Sequence, residues 1–106
     1  MYNLSKNEDV DTLISENKVV ILQFGTESCA PCKAIKMKLD EWGAKHPDIL
    51  IRYIPVEQFP ETAAQRNVLS SPSLFLYVTG KCTLKEAGYF SLEDFLHKTE
   101  RYLLFV

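Results

Sequence analysis

At 106 residues, with 46% hydrophobic and 25% charged side chains, the chain has the composition of one compact globular domain able to bury a core without staples. A formal net charge of −2 argues against a nucleic-acid or anionic-membrane binder. No apolar run approaches the roughly 18 residues of a membrane span, and an N-terminus polar from the start predicts no signal peptide. The expected location is therefore the cytoplasm.

The first predicted element is a helix. "SKNE" (Ser5 to Glu8) has the spacing of a capping box, and Val10, Leu13 and Ile14 form an apolar stripe behind it. "VVILQF" (Val19 to Phe24) is apolar on both faces and rich in β-branched and aromatic residues, as a strand covered on both sides must be. A long helix is predicted over Ala30 to Ala44. "ILIRYIPV" (Ile49 to Val56) reads as a further strand, with Pro55 at its end or at an edge. Pro60 introduces a short helix over Glu61 to Asn67. "SLFLYV" (Ser73 to Val78) is a second central strand. "CTLKEAGYF" (Cys82 to Phe90) follows the turn "TGK" closely enough for an antiparallel hairpin. "SLED" (Ser91 to Asp94) opens a last helix, with Leu92, Phe95, Leu96, Thr99 and Leu103 on one side. This order predicts an α/β fold over residues 1–106, a mixed central sheet of about four to five strands flanked by helices on both faces.

Between the first central strand and the long helix stands "CAPC", with Cys29 and Cys32 at a strand's C-terminal end, where ligand sites of open α/β sheets tend to lie. If Cys29 is the N-cap, Ala30, Pro31 and Cys32 are the first helical residues. The N–H of Cys32 then donates to the Cys29 sulfur, and Pro31 needs no donor in that turn. The helix dipole adds positive potential, so Cys29 is expected to be the low-pKa attacking thiolate. One turn on, Cys32 heads the apolar row Ile35, Leu39, Trp42 and is expected to be a shielded resolving thiol. Lys33 adds positive charge beside the pair. The zinc reading lacks ligands: four are usual, and Cys82, His46 and His97 form no second pair. No metal is therefore expected.

"VVILQFGTESCAPCK", "SSPSLFLYVTGK" and the glycine of "EAGYF" together resemble the thioredoxin family over nearly the whole chain. The resemblance implies a thioredoxin-like fold and a thiol–disulfide oxidoreductase that reduces protein disulfides, Cys29 attacking and Cys32 resolving. It implies no bound cofactor beyond a redox-active Cys29–Cys32 disulfide. It also implies an NADPH-dependent thioredoxin reductase as partner, no nucleic acid, no membrane, and a monomer. Pro72 would be a cis-proline facing the cysteines. Ser71 would offer its backbone to an extended substrate segment, with Ala30 and Pro31 completing the contact surface.

The chain departs from the family's pattern at several positions. Ser28 stands for the usual Trp, Ala30 for Gly, Gly25 for a second Trp, and Met37 for the helix-bending Pro. Gln23 replaces a buried Asp thought to relay a proton to the resolving thiol. Loss of such a general base, typically worth about 10²–10⁴-fold, would slow resolution. Glu57 and Glu27 are candidate substitutes, though both read first as solvated surface carboxylates. Two alternatives follow: a redox-impaired binding or adaptor module on the same fold, and a specialised disulfide oxidant or isomerase. Elsewhere, Cys82 reads as a small buried hydrophobe, His46 as a helix-end cap, His97 as exposed, Trp42 as core, and "YLLFV" as a helix end packed on the sheet. Tyr53 and Tyr77 carry no specific signal.

Overall fold

The computed structural model describes residues 2–106. Its elements in chain order are β1 (Tyr2–Asn3), α1 (Val10–Glu16), β2 (Val19–Gly25), α2 (Ala30–Ala44), β3 (Leu50–Pro55), α3 (Pro60–Gln65), β4 (Ser73–Val78), β5 (Lys81–Ala87) and α4 (Leu92–Leu103). They form a five-stranded sheet in the order β1-β3-β2-β4-β5. β1, β3 and β2 run parallel, while β4 is antiparallel to both β2 and β5.

β2 lies at the centre because every one of its residues is buried. Its alternation divides the core in two. Val20, Leu22 and Phe24 face α1 and α3, packing with Val10, Ile14, Ala63, Ile54 and Phe75. Val19 and Ile21 face α2 and α4, packing with Leu39, Phe95, Ile51, Leu74 and Leu76. Gln23 and Gly25 continue this second row toward the N-terminus of α2, which places them behind the cysteines. The predicted stripe of α2 holds: Cys32 and Leu39 are buried, and Ile35 and Trp42 are partly buried against the core. Trp42 Nε1 also donates to Glu100 Oε2 at 3.4 Å, tying α2 to α4.

Three local expectations are corrected. "SKNE" does not start α1. Its Glu8 carboxylate accepts from the Ser5 N–H at 3.0 Å, but the same group is held by Arg52 of β3 at 2.8–3.1 Å. The box therefore closes a turn on the sheet, and Asp9 becomes the N-cap, accepting from the Thr12 N–H at 3.1 Å. The Arg52 guanidinium and the Ser5 N–H hold the Glu8 carboxyl below its ordinary pKa. Cys82 is exposed rather than buried. A bulge between Leu76 and Tyr77 pairs Leu76 with Leu84 and Tyr77 with Cys82, so Leu84 packs on the α2/α4 core while Cys82 stays at the sheet edge. The chain end does not pack as a whole: Leu103 reaches the core, whereas Leu104 and Phe105 are exposed.

Candidate active site

The cysteines occupy the turn expected for them. Cys29 is the N-cap of α2, with φ −89° and ψ 98°, and its Sγ accepts from the Cys32 N–H at 3.2 Å. Pro31 fits the first turn because no partner for a backbone N–H is needed there. The two sulfurs form a disulfide, with Cα atoms 5.3 Å apart. Cys32 is wholly inaccessible and Cys29 retains 8% of its surface. Cys29 is thus less open than a nucleophile at a helix tip was expected to be, yet it is the more accessible residue of the pair.

Across from the disulfide, the loop into β4 brings in Ser71 and Pro72, joined by a cis peptide bond. Pro72 O accepts from the Gly88 N–H at 2.9 Å, which closes the end of β5 onto this loop. Gly88 has φ +75°, in the left-handed region that glycine enters without steric cost. The Ser71 and Thr26 hydroxyls lie 3.5 Å apart and link this loop to the turn before Cys29. Pro31, Ser71 and Pro72 line one groove of about 420 Å³ together with Ile35, Tyr89 and Phe90. Tyr89 is fully exposed on its rim. The groove has the form an extended, partly apolar segment would occupy. A larger cavity of about 550 Å³ lies toward the other end of α2, lined by Gly43, Ala44, Pro47 and Ile49. Neither cavity is lined by a cysteine, but the smaller groove includes Pro31, between the two cysteines, and the larger one includes no residue of that turn. Ala30 is exposed on the first turn, outside the groove's lining, and Lys33 lines a separate polar cleft on the opposite side.

Gln23 is fully buried behind the pair, and its Nε2 donates to the Cys32 carbonyl at 2.8 Å. Its Oε1 is buried with no hydrogen-bond partner. Glu57 accepts from the Glu27 N–H at 2.8 Å, and both side chains are exposed, as surface carboxylates should be. That hydrogen bond holds the Glu57 carboxyl below its ordinary pKa. Among the described residues, no group of three or more His, Cys, Asp or Glu is placed to hold a metal ion.

Tyr53 was not singled out by its sequence, yet it belongs to this site. In the β2/β3 ladder it lies directly beside Gln23. A Cβ built on Gly25 would collide with the Tyr53 hydroxyl and would lie 3.0 Å from Cys32 Sγ. The signal available beforehand was register: Ile51, Tyr53 and Pro55 share a face, and Gly25 is the one glycine in the strand paired beside them.

Residues 2–100 match the Thioredoxin family profile. Thioredoxin-1 of Schizosaccharomyces pombe is 31% identical over 78 residues, covering 74% of this chain and 76% of that protein. Thioredoxin-2 of Pyricularia oryzae is 30% identical over 81 residues, a match spanning 76% of this chain but only 47% of the relative. In fold, the chain superposes on Plasmodium falciparum thioredoxin with a TM-score of 0.84 at 24% identity, over 96% of this chain and 99% of that one. Profile, relatives and fold agree with a Cys-Ala-Pro-Cys disulfide at a helix N-terminus: the chain belongs to the thioredoxin family of thiol–disulfide oxidoreductases.

Proposed function

We propose that the protein is a dithiol reductant of protein disulfides in the cytoplasm. Cys29 thiolate attacks one sulfur of a substrate disulfide, forming a Cys29–substrate mixed disulfide and releasing the other substrate sulfur as thiolate. Cys32, deprotonated, attacks Cys29 Sγ, closes the Cys29–Cys32 disulfide and releases the second substrate thiolate. The substrate gains two electrons and the CxxC pair loses two. The observation that carries this reading is the N-cap placement of Cys29, whose sulfur receives the Cys32 N–H at 3.2 Å while Cys32 itself is sealed. A hydrogen bond to sulfur and the positive end of α2 both favour thiolate over thiol.

Ser71, Pro72 and Pro31 are assigned to the substrate segment, which would lie in the groove beside the first turn of α2. Ala30, outside that lining, meets the substrate only at the exposed first turn. Lys33 and Gln23 modulate the pair, one by charge and one by its bond to the Cys32 carbonyl. An NADPH-dependent thioredoxin reductase would return the disulfide to dithiol, and the working unit is a monomer.

The test is the equilibrium reduction potential of the pair, read by thiol counting across graded dithiol buffers, together with turnover of a disulfide-linked protein. A potential near about −270 mV is expected for a reductant, whereas roughly −120 to −180 mV would mark an oxidant or isomerase. Cys29→Ser should abolish turnover, and Cys32→Ser should trap the mixed disulfide. Retained turnover in Cys29→Ser, or no reversible disulfide between these two thiols, removes the enzyme reading.

A further inference from the structure

Resolution requires Cys32 to lose a proton while fully buried, and its surroundings lack an obvious base. Gln23 is a neutral amide whose N–H is already committed to the Cys32 carbonyl. Glu27 and Glu57 are exposed and bonded to one another through the Glu27 N–H. One hydroxyl lies near the sulfur. Tyr53 Oη and Cys32 Sγ both lie within 3.0 Å of a single point, the position a Cβ on Gly25 would occupy. They flank a space too small for a methyl group.

The other side of Tyr53 is wet. A polar cleft of about 230 Å³ opens beside it, lined by Lys33, Lys36, Glu27, Thr26 and Gln58. Lys36 is fixed there, with its Nζ 4.5 Å from the centre of the Tyr53 ring and donating to Asn3 Oδ1 at 2.9 Å. The ring is thus held between the buried sulfur and solvent. The charged groups around it are Lys33 and Lys36 from α2, Glu27 from the turn before α2, and Glu57 from the loop after β3.

The geometry points to Tyr53 as the proton relay of the resolving thiol. As Cys32 Sγ attacks Cys29 Sγ, its proton passes to Tyr53 Oη, and the tyrosine's own proton passes to water in the cleft. Tyrosine ends neutral and unoxidised, and through solvent the proton reaches the departing substrate thiolate. Burial, aided by the nearby Glu57 carboxylate, raises the phenol above its ordinary pKa, so it keeps its proton and acts as a relay rather than a phenolate base. Gly25 matters because any side chain there would collide with the hydroxyl and crowd the sulfur.

This inference rests on the dithiol mechanism above, and its test separates the two. In a Cys82→Ser background, which removes the exposed third thiol, reduced protein is mixed with Ellman's reagent in a stopped-flow instrument. The first release of thionitrobenzoate reports Cys29 attack, and the second reports Cys32 resolution. Tyr53→Phe keeps the ring and removes the hydroxyl. It should leave the first phase unchanged and slow the second by at least about 10-fold, short of the roughly 10²–10⁴-fold of a full general base. Its second phase should also recover toward higher pH and lose part of its solvent isotope effect. Gly25→Ala should reproduce the slowing. A second phase unchanged across pH in Tyr53→Phe, or both phases slowed equally, overturns the relay. Slowing in Gly25→Ala alone overturns it too, since packing rather than the hydroxyl would then be responsible. Absence of a second release in the parent protein would instead sink the dithiol mechanism itself.

Discussion

Gln23 carries an unusual local cost. Its side chain is wholly buried, one end bonded to the Cys32 carbonyl and the other, Oε1, unpaired. A neutral hydrogen bond contributes a net of about 0.5–1.5 kcal/mol, whereas an unpaired buried polar atom costs about 1–3 kcal/mol. The carbonyl of Cys32 does not depend on Gln23, because within α2 it also has the intrahelical N–H four residues on. Gln23→Leu, close in volume, should therefore leave the oxidised protein unchanged in stability or raise it by about 1 kcal/mol. Urea unfolding monitored through Trp42 would read this. A loss of more than about 2 kcal/mol would mean that the amide contributes more than this balance allows. Retention of a polar group that does not help stability is what one expects where a buried thiol must change its protonation state.

At the scale of elements, the hairpin between β4 and β5 shows where local chemistry is poorly matched to the fold. Its two-residue turn, Thr79-Gly80, has φ of +49° and +85°. Such a turn favours Asn-Gly, because both central residues are left-handed, a conformation costing an L-residue about 1–2 kcal/mol. A β-branched threonine is badly suited to it, and its backbone N–H is held there by the Lys18 carbonyl at 2.7 Å. Thr79→Asn keeps that bond and should raise the thermal midpoint by an amount worth about 0.5–1 kcal/mol; a lower midpoint would sink the argument. Elements were legible where local signals agreed. β4 and α2 have the bounds read from their apolar runs and caps, and α4 opens at the serine of "SLED", whose side chain accepts from the Asp94 N–H. They were hidden where a distant partner decided. Two-residue β1 exists only by pairing with β3, Glu8 is shared between the Ser5 N–H and Arg52 of the sheet, and a bulge turned Cys82 outward. The site divides in the same way. The thiol spacing and the proline before β4 are visible in the chain, but Tyr53 meets Cys32 only through the β2/β3 register.

For the molecule as a whole, one bond distinguishes the oxidised and reduced states, and it closes a loop of only four residues at the head of α2. In the unfolded chain, a loop that short removes entropy worth about 2 kcal/mol. In the folded chain the same geometry already exists, since Cys29 caps the helix and Cys32 lies on its buried face. The disulfide therefore stabilises the fold, while any stabilisation of a Cys29 thiolate at the helix terminus, typically about 0.3–1 kcal/mol, stabilises the reduced form instead. The two effects meet in a thermodynamic cycle. The difference in unfolding free energy between the two states equals the difference in potential between folded and unfolded chain, at about 1.4 kcal/mol per 30 mV. A reductant must hold its disulfide more firmly when folded, so the oxidised protein should be the more stable. With the loop entropy exceeding the dipole effect, a gap of about 1–2 kcal/mol is expected. Paired urea titrations with and without a dithiol, in the Cys82→Ser background, measure it directly. If the reduced protein proves the more stable, thiolate stabilisation outweighs loop closure, and the same cycle assigns the CxxC pair to disulfide donation rather than reduction.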